Sequence, residues 1–112
     1  GARAGRTNTL GFGNTFVGHE AGLDNVDGGR NTFMGWLAGH DNLGDNNTFL
    51  GNQAGELSTT GERNTIVGTF AGEANGHGND NTMMGFDAGT FADDGDRNTY
   101  VWKYLLRDFS GS

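Results

Sequence analysis

The sequence predicts an all-β fold, namely a parallel β-solenoid whose coils are about 17 residues long. Asn-Thr dipeptides recur at steps of 17, 16, 17, 17 and 17 residues, beginning at Asn14, Asn31, Asn47, Asn64, Asn81 and Asn98. Ala-Gly pairs and a loop glycine recur in the same register, and two apolar residues follow each Asn-Thr. This repeat is too short for a helical hairpin, and its glycines disfavour helix. Strand formers followed by glycine fit one solenoid turn with two short strands.

The repeats divide the chain into a series of coils and a different C-terminal segment. Residues 1–97 hold the repeats, with a partial coil at 1–13 followed by coils at 14–30, 31–46, 47–63, 64–80 and 81–97. Residues 98–112 lack the Ala-Gly pair, and Trp102 stands where the repeat has glycine, so this segment is predicted to end the solenoid as a cap or tip. Because Gly1 aligns with Gly18 of the next coil, we expect the chain to be a piece of a longer protein.

The composition excludes several classes of partner and site. The chain has 112 residues, of which 33% are hydrophobic and 22 are glycine, and its net charge is -7. Without a repeat, this profile would indicate disorder. The absence of cysteine excludes disulfides and thiolate metal sites. The seven lysine and arginine residues are scattered, which argues against nucleic-acid binding, and the short apolar runs argue against membrane insertion.

The two apolar positions after each Asn-Thr predict self-association. We define the Phe16 column as Phe16, Phe33, Phe49, Ile66, Met83 and Tyr100, and the Val17 column as Val17, Met34, Leu50, Val67, Met84 and Val101. Successive strand residues point to opposite faces, so both faces of the sheet need burial, while one coil buries only one. Because the opposite wall carries small alanines, the coil is predicted to be thin. We therefore assign the Val17 column to the interior and the Phe16 column to a subunit interface; the inverse assignment would leave the association intact.

The remaining repeated positions have structural interpretations. Stacked asparagines are expected to form an amide ladder from coil to coil, and the threonines a hydroxyl ladder. The fixed glycines are expected at corners that need positive φ or close backbone approach. The loops between Ala-Gly and Asn-Thr vary in sequence, so that recognition could reside there.

The pattern Asn-Thr-apolar-apolar-Gly-x-x-Ala-Gly resembles the head repeats of trimeric autotransporter adhesins of the YadA type. It is even more similar to the NTFVG-x-x-AG arrays of bacterial and phage tail-fibre-like proteins. The resemblance covers residues 1–97 and implies a left-handed parallel β-roll, assembled as an intertwined or side-by-side homotrimer. It further implies a non-catalytic fibre or adhesin head at a cell surface or virion, which attaches to a glycan or a protein receptor. The repeat here is longer and richer in aromatic residues than in the adhesin heads.

Two alternatives remain open beside the adhesin interpretation. One is a structural spacer within a fibre, and the other is a tailspike-like glycan hydrolase with an intersubunit site. The acidic segment 93–96 contains carboxylates that could serve such a hydrolase or bind calcium, but a solvated turn is the simpler interpretation. His19, His40 and His77 occupy different repeat positions and are interpreted as surface residues. We therefore predict no catalytic residue, no cofactor and no metal site.

Aromatic residues concentrate at the C-terminal end beside two cations. The candidate ligand-binding residues of this tip are Tyr100, Trp102, Lys103, Tyr104 and Arg107. Aromatic faces with nearby charges suit the recognition of sugars and peptides. A solenoid also needs a cap that covers its last coil, so the same residues can form an aromatic plug.

Overall fold

A computed structural model describes residues 1–90 and 94–101, which form one parallel β-sheet wound as a solenoid with one strand per coil. The strands are β1 (Thr15–Val17), β2 (Thr32–Met34), β3 (Thr48–Leu50), β4 (Thr65–Val67), β5 (Thr82–Met84) and β6 (Thr99–Tyr100). They lie side by side in chain order. The predicted all-β solenoid with coils of about 17 residues is therefore confirmed. Within the described ranges, no helix is long and apolar enough to cross a bilayer.

The strands pair in the register of the sequence repeat. Thr15, Phe16 and Val17 lie opposite Thr32, Phe33 and Met34, and the later pairs continue this pattern. The single 16-residue step does not shift the register, because Thr32 still pairs with Thr48. The missing residue is absorbed between Ala38 and Gly44, where this coil is one residue shorter than its neighbours. Length variation is therefore confined to a loop.

The wall opposite the strands is built from turns, so the predicted second strand of each coil is wrong. The backbone has φ near +60° at Leu37 and again at Gly39, and such left-handed residues cannot continue an extended strand. The turns nevertheless bond from coil to coil: the Gly22 N–H donates to the Ala38 carbonyl, and the Gly39 N–H to the Ala54 carbonyl, at 3.0 Å each. We call this side of the solenoid the turn wall.

The Phe16 column, and not the Val17 column, lies inside the coil, so the sequence assignment of the two apolar columns is wrong. The side chains that were predicted to form the subunit interface, Phe16, Phe33, Phe49, Ile66, Met83 and Tyr100, form the core within one chain together with the alanines of the turn wall. Phe33 and Phe49 are fully buried, whereas Val17 and Met34 of the other column are 48% and 47% exposed. The Phe16 column therefore cannot be the interface, and the Val17 column points outward.

The small residues of the turn wall explain this inversion. A Cβ added to Gly39 would lie 2.5 Å from the Phe33 ring, and one added to Gly55 would lie 2.6 Å from the Phe49 ring. The Ala-Gly pair thus makes room for a ring that crosses the whole interior. Phe33 and Phe49 stack with their centroids 4.8 Å apart and their planes at 11°. Small residues on one wall indicate a large side chain on the other, and not a thin coil.

The repeated asparagines form a ladder whose partners are backbone groups. Asn47, which is fully buried, accepts the Asn64 backbone N–H at 2.9 Å through Oδ1 and donates Nδ2 to the Gly61 carbonyl at 2.8 Å. Its own N–H donates to Asn31 Oδ1 at 2.8 Å, and the same pattern recurs along the column. The predicted coil-to-coil ladder is present, but each amide ties the next strand to a loop instead of bonding chiefly to another amide.

A second polar column, which was not predicted from the sequence, lies four residues after the alanines and is largely buried. Its members are Asn8, Asn25, Asn42, Ser58 and Asn75. Asn25 Nδ2 donates to the Asn42 carbonyl at 2.7 Å, and Asn42 Nδ2 donates to the Ser58 carbonyl at 2.5 Å. The fixed spacing from the Ala-Gly pair is the signal that could have revealed it, inside loops that were interpreted as variable. Among the described residues, the buried Ser58 hydroxyl has no hydrogen-bond partner.

Replacing Ser58 by asparagine is expected to raise the free energy of unfolding by about 1 kcal/mol. The new amide would donate to the Asn75 carbonyl, as Asn25 does to Asn42, and it would remove the unsatisfied hydroxyl. Urea denaturation with an unchanged m value measures the gain. Ser58→Ala is the matched control, since it removes the unsatisfied hydroxyl without adding the bond, and we expect a smaller gain in stability from it than from Ser58→Asn. A loss of stability in Ser58→Asn would show that an asparagine side chain cannot be accommodated at this position of the column.

Left-handed backbone at residues other than glycine forms two further columns. Residues with φ between 56° and 62° are Arg3, Glu20, Leu37, Gln53, Phe70 and Asp87 on the turn wall, and Arg30, Asn46, Arg63, Asp80 and Arg97 before the Asn-Thr pairs. Each such conformation costs an L-residue roughly 1–2 kcal/mol. The loop glycines serve close approach instead, because a Cβ on Gly28 would lie 2.5 Å from the Gly44 carbonyl oxygen. Glycine positions alone therefore do not mark every corner of the coil.

Candidate functional site

The outer strand face consists of the Val17 column and of the threonines two positions before each of its members. Alternate strand residues share a face, so Thr15 and Val17 point outward while Phe16 points inward. Met34, Met84 and Val101 are 47%, 49% and 59% exposed. The register places these side chains in a row with a spacing of about 4.8 Å. Each coil thus places one apolar side chain at the same height on this face, and four of the six are about half exposed.

Aromatic residues follow the outer strand face on two coils. Trp36 and Phe86 come two residues after Met34 and Met84, and they are 47% and 57% exposed. Phe86 also packs edge-to-face on Phe70, with ring centroids 6.0 Å apart. Exposed apolar surface of this extent is typical of a protein interaction site.

The predicted tip residues divide between the core and the part of the chain that is not described. Tyr100 belongs to β6, is 8% exposed, and pairs with Met83 in the sheet register. Burial raises the pKa of its phenol, because desolvation disfavours the phenolate. Tyr100 is therefore a core residue, and its assignment to a ligand-binding tip is wrong. The other candidates, Trp102, Lys103, Tyr104 and Arg107, lie outside the described residues, and their role stays a prediction.

The acidic segment 93–96 has a structural role where it is described. Asp96 Oδ1 accepts the Asn79 backbone N–H at 2.8 Å, and Asp94 Oδ1 accepts the His77 backbone N–H at 3.3 Å. Asp93 lies outside the described residues. Asp45 on an earlier coil acts in the same way as Asp96, since its Oδ1 accepts the Gly29 N–H at 2.7 Å. These carboxylates bind the loop of the preceding coil.

Four ionisable side chains meet where the coil 14–30 stacks on the coil 31–46, and we call them the junction cluster. They are Glu20 and Asp24 from the first coil and His40 and Asp41 from the second. One ligand atom each from Asp24, His40 and Asp41 lies within 4.8 Å of the others. His40 Nε2 lies 3.4 Å from Glu20 Oε2, and His40 Nδ1 contacts the Asp41 carboxylate. The imidazole is thus surrounded by carboxylates from both coils.

Backbone hydrogen bonds of the turn wall hold the junction cluster together. The Asp24 N–H donates to the His40 carbonyl at 2.9 Å, which fixes the two coils directly at the site. The Leu23 N–H donates to the Glu20 carbonyl at 3.2 Å and closes the turn that brings Glu20 near Asp24. The side chains of Glu20 and His40 are only 15% and 21% exposed. The cluster is therefore placed by the scaffold and partly shielded from water.

The electrostatic environment of His40 is dominated by negative charge. Partial burial of the ring opposes protonation, but the hydrogen bond to Asp41 and the charges of Asp41, Asp24 and Glu20 outweigh it and raise the pKa of His40. Arg3 and His19 contact the other oxygen of Glu20, Oε1. Three carboxylates therefore face one guanidinium and one imidazole beside His40.

The junction cluster cannot be predicted from the repeat, because its side chains do not recur on every coil. His19, His40 and His77 indeed do not stack; His77 contacts the Thr60 hydroxyl at 2.6 Å on another part of the surface. His40 instead meets carboxylates of the preceding coil at other repeat positions. The signal that could have found it is the pair of His-Asp residues 40–41 one coil after Asp24.

An acidic set without an imidazole continues along the turn wall. Burial raises the pKa of Glu73, and the neighbouring charges of Glu56 and Asp87 raise it further. Glu56 and Glu73 occupy the repeat position of His40 on the next two coils. This set therefore shows the turn wall with carboxylates but without the imidazole of the junction cluster.

Comparisons with protein-family models, with curated proteins and with solved structures gave no match to this chain. The function is therefore inferred from the side chains of this chain and their arrangement.

Proposed function

We propose that this chain is a non-catalytic segment of a homotrimeric fibre or adhesin head, in which three copies pack through their outer strand faces. The observation that carries the proposal is the apolar row of the Val17 column, which is about half exposed on four of its six coils. The proposal includes a left-handed winding of the coil and an extracellular, cell-surface or virion location, as the resemblance to adhesin and tail-fibre repeats implies.

The energetics of the outer strand face favour association. Covering the exposed half of one valine, leucine or methionine side chain is worth about 1 kcal/mol. A trimer would cover four such side chains from every copy, together with the less exposed Leu50 and Val67. Trp36 and Phe86 would add to this if they lie within the contact. The expected gain exceeds the lower estimates of the entropic cost of association, which begin at roughly 4 kcal/mol. A polar partner would not cover these side chains with apolar surface. A second copy would, because it carries the same apolar row.

A variant that tests assembly has to lie on the outer strand face and not in the core. Phe33→Asp would place a carboxylate in the core of a single coil, where Phe33 is fully buried, and would unfold the chain whether or not it associates. Met34 lies on the neighbouring position but on the outer face. A substitution at Met34 therefore reports association with less disturbance of the coil.

The natural chain is expected to sediment as a trimer at micromolar concentration, and Met34→Asp is expected to shift it towards monomer. Three carboxylates would meet at the interface, where they lose water without gaining partners. Leu43→Asp is the matched control, since Leu43 is 44% exposed but lies on a loop. We expect it to remain trimeric. A well-folded monomer of the natural chain in sedimentation equilibrium would contradict the proposal.

The spacer function is the second candidate, and the polar columns favour it. The buried asparagines and the loop carboxylates Asp45 and Asp96 are engaged in bonds between coils, as expected of a shaft. Because these side chains are used by the fold, attachment by an adhesin would depend on other surface loops or on the residues after Val101, whereas a spacer needs no attachment site. Binding of the chain to a glycan array, with and without Trp102→Ala and Lys103→Ala, separates the two. Loss of a glycan signal in the double variant supports the adhesin, and absence of any signal supports the spacer.

A further inference from the structure

We propose that Asp24, His40 and Asp41 of the junction cluster bind one divalent transition-metal ion of the zinc type, while Glu20 faces the other ring nitrogen of His40. The site would join two adjacent coils through the turn wall, and it does not depend on the outer strand face or on the proposed trimer.

The donor atoms select the class of ion. One imidazole nitrogen together with carboxylate oxygens suits zinc, cobalt and manganese, while calcium and magnesium prefer ligand sets made only of oxygen. Two ligand atoms that each lie about 2.1 Å from an ion are separated by at most about 4.2 Å. The ligand atoms of Asp24, His40 and Asp41 already lie within 4.8 Å of one another. Small side-chain rotations therefore suffice, and the exposed Asp24 is free to make them.

The scaffold prepares the site before an ion arrives. The bond from the Asp24 N–H to the His40 carbonyl, 2.9 Å long, fixes the distance between the two coils. Arg3 engages Oε1 of Glu20, so that Oε2 remains directed at His40 Nε2 at 3.4 Å. With the His40 imidazole in the neutral form that a metal ligand requires, three carboxylates beside one guanidinium leave an excess of negative charge, which a divalent ion would neutralise.

The equivalent positions of a later coil pair lack this ligand set. Gln53, Leu57, Glu73 and Ala74 occupy the repeat positions of Glu20, Asp24, His40 and Asp41. That pair offers one carboxylate and no imidazole, although its backbone follows the same turn. The junction cluster is thus distinguished by its side chains and not by the fold, which is why a search for periodic ligands predicts no metal site.

Zinc titration of the whole chain by calorimetry tests the proposal. We expect one ion per chain, a rise in Tm with zinc, and a cobalt absorption spectrum that reports a nitrogen ligand. His40→Ala and Asp24→Asn should each weaken binding by about tenfold or more. The Asp24 variant keeps the imidazole and the backbone bond, so it remains informative if His40→Ala perturbs folding.

The controls separate a built site from general attraction of cations. His77→Ala and Glu73→Gln remove an imidazole and a carboxylate elsewhere on the surface, and we expect binding to be unchanged in both. The proposal is overturned if the natural chain binds no zinc up to about 1 mM. It is also overturned if His40→Ala and Asp24→Asn bind as the natural chain does, or if calcium raises the Tm as much as zinc does.

Discussion

Asn47→Ala is expected to lower the free energy of unfolding by about 2–4 kcal/mol. The side chain is fully buried and satisfies the Gly61 carbonyl and the Asn64 N–H at once. Its loss leaves the Asn64 N–H without a partner inside the solenoid, which costs about 1–3 kcal/mol. The Gly61 carbonyl keeps only the longer bond from Asn42 Nδ2, at 3.4 Å. Loss of the Nδ2 contact with Asn42 Oδ1, at 3.3 Å, adds to this.

Chemical denaturation of Asn47→Ala beside Asn52→Ala measures the effect of the ladder. Asn52 lies on the same coil, but its amide only contacts the side chain of Gln53 at 3.3 Å, and that substitution should change stability by about 0.5 kcal/mol or less. Equal losses in the two variants would mean that the buried ladder contributes no more than a surface amide. Because coils stack only on their neighbours, we also expect Asn47→Ala to accelerate amide exchange more at Thr48 and Thr65 than at Thr82, whose N–H donates to the Asn98 carbonyl at 2.8 Å.

Gly51→Ala is expected to destabilise the chain by several kcal/mol, on the order of 3–5. A Cβ at this position would lie 2.6 Å from the Gly68 carbonyl oxygen and 2.7 Å from its carbon, which are backbone atoms of the next coil. The φ of 137° also lies in a region that residues with a side chain rarely adopt. The two coils would have to separate, which would break the 2.8 Å bond from the Gly68 N–H to the Leu50 carbonyl.

Gly13→Ala separates the steric clash from the backbone conformation. Gly13 has φ of 70°, but a Cβ there would meet its nearest neighbour, Arg30, at an ordinary 3.5 Å. Arg30, Asn46 and Arg63 already occupy this repeat position with positive φ on later coils. We expect a loss of about 1 kcal/mol in Gly13→Ala. A loss in Gly51→Ala that is no larger, measured by thermal and urea unfolding, would show that close contact between coils is not what requires glycine.

The period of the sequence was sufficient to predict the parallel solenoid, its register and the coil-to-coil asparagine ladder. Identical spacing of Asn-Thr, Ala-Gly and the loop glycine brings equivalent residues together only if each repeat forms one turn. The conformation of the turns could not be predicted from the sequence, because residues such as Leu37 and Phe70 adopt positive φ although they are not glycine. The turn wall is imposed by the closure of the coil and not by local preference.

Which apolar column lies inside was decided only by the tertiary structure. The alternation of strand residues is symmetric, so the sequence indicated two apolar faces without determining which one points inward. The decision depends on the distance between the strand and the turn wall, where Gly39 and Gly55 leave space for the rings of Phe33 and Phe49. The junction cluster is also determined only by the tertiary structure, since His40 meets Glu20 and Asp24 only when one coil stacks on the next. Periodic contacts can be read from a repeat, whereas contacts between residues at different repeat positions depend on where the folded backbone places them.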